Sequence, residues 1–226
     1  MRRFYKTVTV AAGNRILLDR RPVKTPGRAN LAAPTQGLAE AIAAEWSAQG
    51  ERIDPRNMAM TGLANAAIDR IAPEREAFAR GLAVYGESDL LCYRAEGPAP
   101  LVARQRERWD PILVWARERY DVAFEVAAGV MHRKQPVETV ERLRQAVLAR
   151  DAFALAGLSH SVTVSGSLLV ALALAEGAID LETAWAAATL DEQWQAETWG
   201  ADAEAEKALG HRRADFEAGY RFLSLL

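Results

Sequence analysis

Cysteine, histidine and long apolar runs are all scarce in this chain, and each shortage removes a class of protein. The one cysteine, Cys92, has no partner for an internal disulfide, so a reducing cytosol or matrix suits the chain better than an oxidising compartment. It lies in Asp89-Leu90-Leu91-Cys92-Tyr93, where apolar neighbours favour a buried structural thiol over a nucleophile. The three histidines, His132, His160 and His211, are scattered and form neither an HExxH nor a paired Cys/His spacing, so no metal site is expected. GxxxxGK[ST], GxGxxG and GxSxG are all missing, which leaves no fingerprint for a phosphate loop, a dinucleotide or a serine elbow, and no cofactor is expected. The most apolar stretch, Leu168 to Ala175, stops at Glu176-Gly177, well short of the roughly 20 residues a bilayer span needs. Met1-Arg2-Arg3 leads directly into an alternating segment without the apolar centre of a signal peptide, so no targeting segment is expected.

What remains is a soluble-looking, helix-biased composition. A chain of 226 residues removes roughly 70% of its unfolded surface from water, enough for one large core or two small ones. With 28 Lys+Arg against 30 Asp+Glu the net charge is -2, so nothing draws the whole chain to a polyanion or an anionic membrane. Alanine supplies 45 of the residues, and Val, Ile and Thr thin out after the first thirty positions, a bias that favours helix.

The order of elements follows from periodicity and punctuation. Phe4 to Val10 alternates, Gly13-Asn14 supplies a turn and Ile16-Leu17-Leu18 starts a second strand, which predicts a hairpin over residues 3–20. Pro22, Pro26 and Pro34 punctuate an extended segment, and Thr35 is placed to cap a helix carrying Leu38, Ile42, Glu45 and Trp46, with Gly50 as its stop. Beyond Met60 the pattern is helical: Thr61 to Ala72, Pro73 to Tyr85, and Pro100 to Tyr120 with a possible break at Asp110-Pro111. Further helices are expected from Pro136 to Arg150, with Val137, Val140, Leu143 and Val147 on one face, and from Ser161 to Glu176. Asp180 caps a helix from Leu181 to Trp199 stopped by Gly200, and Asp202 caps the last one to Leu225. Val122 to Val130 reads either as a short strand or as a buried connector. The fold class expected is an α+β N-terminal domain over residues 1–60 followed by an all-α orthogonal helical bundle over residues 61–226.

Few residues are placed for chemistry. Ser165-Gly166-Ser167 reads as a helix cap with a close-packing glycine, and as an anion cradle in the alternative. Arg15, Arg20, Arg21, Lys24 and Arg28 form a basic cluster without interleaved aromatics, a poor platform for single-stranded nucleic acid and more simply a solvated loop. Arg104, Arg106 and Arg108 also read as mostly solvated. The most informative segment is Thr189 to Gly200. At about 100° per residue, Leu181, Trp185, Ala188, Glu192, Gln195 and Trp199 share one stripe, with Ala187, Leu190 and Trp194 opposite. A helix apolar on both sides has two surfaces to cover, and a carboxylate and an amide between two indoles resemble a protein-binding patch. Either Glu192 pairs with Arg212, Arg213 or Arg221 of the last helix, or it belongs to an exposed recognition face. A general acid or base role lacks a second catalytic group nearby in sequence, although a bundle cavity joining Glu192 to His160 would supply one for a small-molecule enzyme.

Several runs occur together in a familiar order: Arg3-Phe4-Tyr5-Lys6, Leu18 to Pro26, Glu45-Trp46, Asp89 to Ala95, Trp109-Asp110-Pro111, Gly166 to Ala173, and Asp191-Glu192-Gln193-Trp194-Gln195 to Trp199-Gly200. They resemble the assembly chaperone family for the alpha subunit of the ATP synthase catalytic head (F-one sector), found in mitochondria and some bacteria. The resemblance spans essentially the whole chain. One departure is Ala59, where the family commonly has proline. The resemblance implies a non-enzymatic protein that binds the free alpha subunit, prevents its aggregation and hands it to the beta subunit. It implies an important acidic position in the penultimate helix at Glu192, with Asp191 as the adjacent alternative, and a structural role for Trp46. Trp185 and Trp199 would supply aromatic area, and Glu192 with Gln195 the polar contacts. No nucleic acid or membrane insertion is implied. The expected setting is the bacterial cytoplasm, or the matrix for mitochondrial relatives, and one face offered to one subunit is most simply carried by a monomer.

Overall fold

In the computed structural model, residues 1–129, 131–200 and 202–226 are described. The chain divides into two units, one of Met1–Arg75 with Asp151–Gly157 and Arg221–Leu226, the other of Glu76–Arg150 with Leu158–Tyr220.

The first unit holds the sheet. Strand β1 (Val8–Ala11) pairs antiparallel with β2 (Arg15–Leu18), Val8 opposite Leu18 and Val10 opposite Ile16. The tight turn at Asp19-Arg20, with φ of 46° and 69°, returns the chain as β3 (Arg21–Pro22) along β2. Positive φ at both positions is the geometry that matches the twist of a two-residue hairpin. The Asp19 carboxylate accepts from the backbone N–H of Thr7 at 2.9 Å and of Lys6 at 3.1 Å, which fastens the start of the hairpin and holds the carboxyl below its usual pKa. Ile16 and Leu18 point inward, and with Leu31, Leu38, Ile42 and Met60 they form the core of this unit.

Helix α1 (Gln36–Ser47) begins as the sequence predicts, with the Thr35 hydroxyl accepting from Leu38 N at 3.2 Å. It ends on Ala48 rather than Gly50. Helix α2 (Ala59–Ala66) starts two residues before the expected cap. Its true cap comes from α1: the Glu45 carboxylate accepts from Met60 N at 2.7 Å, Thr61 N at 2.8 Å and the Thr61 hydroxyl at 2.7 Å. Ala59 is the first helical residue, a position where proline is also favoured, so the one departure from the family pattern falls on a helix start and not in a loop. The adjacent Trp46 packs edge-on against Tyr5 at 5.7 Å, and the Tyr5 hydroxyl donates to its carbonyl at 2.6 Å.

In the second unit, α3 (Arg75–Ala83) leads through β4 (Tyr93–Arg94) to the long helix α4 (Ala99–Tyr120). Pro111 does not break α4. Pro111 and Glu107, four residues before it, are both exposed, so the carbonyl deprived of a donor faces water. Within the ambiguous stretch after Val122, β5 (Ala127–Ala128) pairs parallel with β4, and Val130 lies outside the described residues. Along the chain then come α5 (Val137–Leu148), α6 (Ala152–Ser165), α7 (Leu168–Ala175), α8 (Leu181–Ala188), α9 (Leu190–Trp199) and α10 (Ala203–Ser224), of which the start of α6 and the end of α10 belong to the first unit. The buried side of α5 is Thr139, Leu143 and Val147, while Val137 is exposed. The sheet-bearing beginning and mostly helical remainder match the fold class expected from the sequence, except that the two-residue strands β4 and β5 pair within the part expected to be all helix.

The helix expected from Ser161 to Glu176 is two helices, broken at Gly166, whose φ is +70°. A Cβ at Gly166 would meet nothing within 4 Å, so this glycine serves backbone conformation and not close packing. The seven buried residues Leu168 to Leu174 make α7 the centre of this unit. Its N-terminus is filled by a carboxylate of the chain itself. Asp89 is fully buried and accepts from the Ser167 hydroxyl at 2.7 Å, Leu169 N at 3.0 Å and Leu91 N at 3.1 Å. Burial pushes Asp89 up to about 6, partly offset by those donors. Of the two readings of Ser165-Gly166-Ser167, the cap is the one present: Ser167 Oγ accepts from Val170 N at 3.0 Å, while Gly166 N and Ser167 N donate to Val162 O and Ser165 Oγ and are not free to cradle an anion.

Candidate partner-binding groove

The helix expected from Leu181 to Trp199 is also two helices. Asp180 caps α8 by accepting from Thr183 N at 2.7 Å, as read from the sequence, but the chain breaks at Thr189, with φ −113° and ψ 13°. The buried Thr189 hydroxyl donates to Trp185 O at 2.8 Å and accepts from Gln193 Nε2 at 2.8 Å, which satisfies polar groups at the junction. A stripe counted at a constant angle does not cross such a break. Trp185 is therefore core and not surface: it is 5% exposed and packs on Phe216 with ring centroids 5.7 Å apart. Its expected role in an exposed patch is corrected accordingly.

The rest of the stripe stays together. Glu192, Gln195, Ala196 and Trp199 of α9, at helical spacings of three and four, face Ala205, Ala208, Leu209 and Arg212 of α10 at the same spacings. Between them runs an open groove of about 470 Å³. Trp199 is 77% exposed, and Gly200, with φ +92°, ends α9 directly after it. Arg212 donates through Nη1 to both Glu192 oxygens, at 2.7 and 2.9 Å, and through Nη2 to Val164 O at 3.3 Å. The pair is half exposed, 40% for Arg212 and 48% for Glu192, so Glu192 is paired with the last helix, as one of its two sequence readings has it, and lies at the surface. An exposed pair is worth about 0–1 kcal/mol and exchanges partners at little cost.

Asp191 separates cleanly from Glu192. It turns inward, accepting from Gln105 Nε2 at 2.8 Å, while Gln105 Oε1 accepts from Ala95 N at 2.9 Å, so it ties α9 to α4 and β4. Trp194 lies under the Arg104 guanidinium, 4.9 Å from its ring centre, and Arg104 pairs with Glu197 at 2.7 Å. The α10 side of the groove escaped the sequence reading apart from Arg212, although Ala205, Ala208, Leu209 and Arg212 carry a recognisable helical spacing. Cys92 is buried and its thiol is pushed up to about 12 by burial, an inert group. The basic cluster from Arg15 to Arg28 is exposed. His160 is not among the residues lining the groove, and no described group of three His, Cys, Asp or Glu side chains is arranged to hold a metal. Among the described residues no helix is long and apolar enough to cross a membrane.

An open groove with an aromatic end and an exchangeable ion pair suits contact with another protein. Residues 2–117 match the model of the family described as ATP12 chaperone protein. The chain is 28% identical to Protein atp12, mitochondrial, of Schizosaccharomyces pombe over 221 residues, 91% of this chain and 76% of that protein. It superposes on the crystal structure of Atp12 from Paracoccus denitrificans with a TM-score of 0.93 at 42% identity, covering 99% of this chain and 97% of the other. The Atu1473 protein of Agrobacterium tumefaciens gives 0.94 at 42% identity, over 99% and 85%. The chain belongs to the ATP12 chaperone family, whose members serve ATP synthase assembly as chaperones and not as enzymes.

Proposed function

We propose that this chain binds the free alpha subunit of the ATP synthase catalytic head through the α9–α10 groove, prevents its aggregation and releases it when the beta subunit takes over the same surface. Membership of the family supports the assembly role, and the observation that carries the choice of surface is Trp199, an indole 77% exposed beside the Glu192–Arg212 pair. A holding chaperone needs apolar area to cover what the client exposes and polar contacts that set register and allow exchange. Trp199 with Ala196, Ala205, Ala208 and Leu209 supplies the first; Glu192 and Gln195 supply the second by receiving an arginine or backbone donors of the client. Arg212 holds the Glu192 carboxylate in place until the client displaces it. Asp191 and Trp185 act indirectly, by fixing α9 and α8 in place. The protein works as a monomer, in the bacterial cytoplasm or the mitochondrial matrix.

The enzyme reading has no support in the family, whose members are chaperones, and although Asp202 and Glu206 line the groove with Glu192, His160 does not. The test is light scattering of isolated alpha subunit with wild type, Glu192→Lys and Trp199→Ala. Wild type suppresses aggregation and both variants fail while retaining native circular dichroism. Suppression by folded Glu192→Lys equal to wild type refutes the groove as the holding surface.

A further inference from the structure

A second cavity, also of about 470 Å³, lies on α4 beside β4 and β5 and shares no residue with the groove. Its wall on α4 is a single stripe, Arg106, Asp110, Leu113 and Arg117, at spacings of four, three and four. Its inner end is Arg94 of β4, whose side chain is only 8% exposed. Arg94 Nη2 donates to Asp110 Oδ1 at 2.7 Å and the guanidinium stacks 5.0 Å from the Trp109 ring centre, but its Nε and Nη1 are buried without a hydrogen-bond partner. Neither Arg106 nor Arg117 has an ion-pair partner among the described residues. Three guanidinium groups thus face one carboxylate that is itself 55% exposed, leaving two positive charges unmatched.

A buried guanidinium with open donors is costly unless an acceptor completes it, and Arg forks are built for carboxylate and phosphate oxygens. The remaining wall is apolar, with the half-exposed side chain of Val126 at its rim, which suits an acidic group carried on an apolar-containing chain better than a bare inorganic ion. We infer that this cavity is a docking site for acidic side chains of a partner protein, whose carboxylates neutralise the Arg94, Arg106 and Arg117 cluster. The inference goes beyond the groove and does not depend on which client the groove holds.

The probe is a pair of short capped peptides, one with two glutamates around a leucine and its glutamine counterpart, titrated into the full chain while the amide signals of Ala127 and Ala128 are followed by NMR. Arg94 is left intact because its burial couples it to folding; the exposed pair is changed instead, as the double variant Arg106→Gln/Arg117→Gln. The glutamate peptide shifts those signals saturably, more weakly at higher salt, and at least about tenfold more weakly in the double variant, the size expected for one lost charge-assisted contact. The glutamine peptide produces no shift. Equal response to both peptides, an unchanged response in the double variant, or no saturable shift up to about 10 mM peptide overturns the inference. Inorganic phosphate is the control: binding at least as tight as the glutamate peptide, at the same residues, overturns the assignment to a protein partner in favour of a free-anion site.

Discussion

Replacing Asp89 with alanine should be among the most damaging single changes in the helical unit, and its cost should depend on pH in a direction the structure dictates. The carboxylate accepts from Ser167 Oγ, Leu169 N and Leu91 N, all buried, and deletion orphans three donors at about 1–3 kcal/mol each. Against that, the wild type bears the burial of a charge whose pKa moves from 3.8 to about 6, about 3 kcal/mol at pH 7, which alanine removes. Taking the middle of the range for each orphan, the net loss at pH 7 is about 3 kcal/mol. The folded protein binds a proton at Asp89 that the unfolded chain does not hold between pH 3.8 and about 6, so this contribution to stability is full below 3.8 and is lost as pH rises through about 6. The gap between wild type and Asp89→Ala therefore widens on acidification, by up to about 3 kcal/mol from pH 7 to pH 4. Urea unfolding at pH 7, 5.5 and 4.5, read as the difference between the two proteins so that other titrating groups cancel, measures it. A gap near zero at pH 7, or one that narrows as pH falls, refutes the reasoning.

Glu45→Ala removes the acceptor for three donors at the start of α2 and should cost about 1–3 kcal/mol, seen as a lower midpoint in thermal unfolding. Gly157→Ala places a Cβ 2.7 Å from Leu223 Cγ and 3.2 Å from Phe222 Cδ1, an overpacking worth about 1–3 kcal/mol by urea titration. Cys92, buried and pushed up to about 12, should react with an aromatic disulfide reagent at pH 8 only as fast as the protein opens, so labelling in low denaturant should rise in step with unfolding.

The features legible in the sequence are those whose cause is local. Thr35 and Asp180 announce their helices because a cap and the N–H it serves lie three residues apart. The hairpin and the α+β start follow from alternation and turn residues. The breaks at Gly166 and Thr189 were hidden because helical spacing on either side continues as though unbroken, and only the tertiary position of Trp185 against Phe216 reveals the change of direction. Glu45 was legible as a helix residue but not as the cap of another helix, since Met60 is 15 positions away. Asp89 and Ser167, 78 positions apart, lie in two of the runs that carry the family resemblance, yet nothing local says that one run caps the other. Of the surface face, Glu192, Gln195 and Trp199 were found by spacing, while the α10 wall opposite them needed the fold.

The groove can be tested most directly by capture from cell extract. Tagged wild type and Glu192→Lys are prepared side by side; since the lost ion pair is half exposed, the two should unfold within about 1 kcal/mol of each other. The account predicts that the ATP synthase alpha subunit is recovered with wild type and not with the folded variant, and equal recovery with both would contradict it.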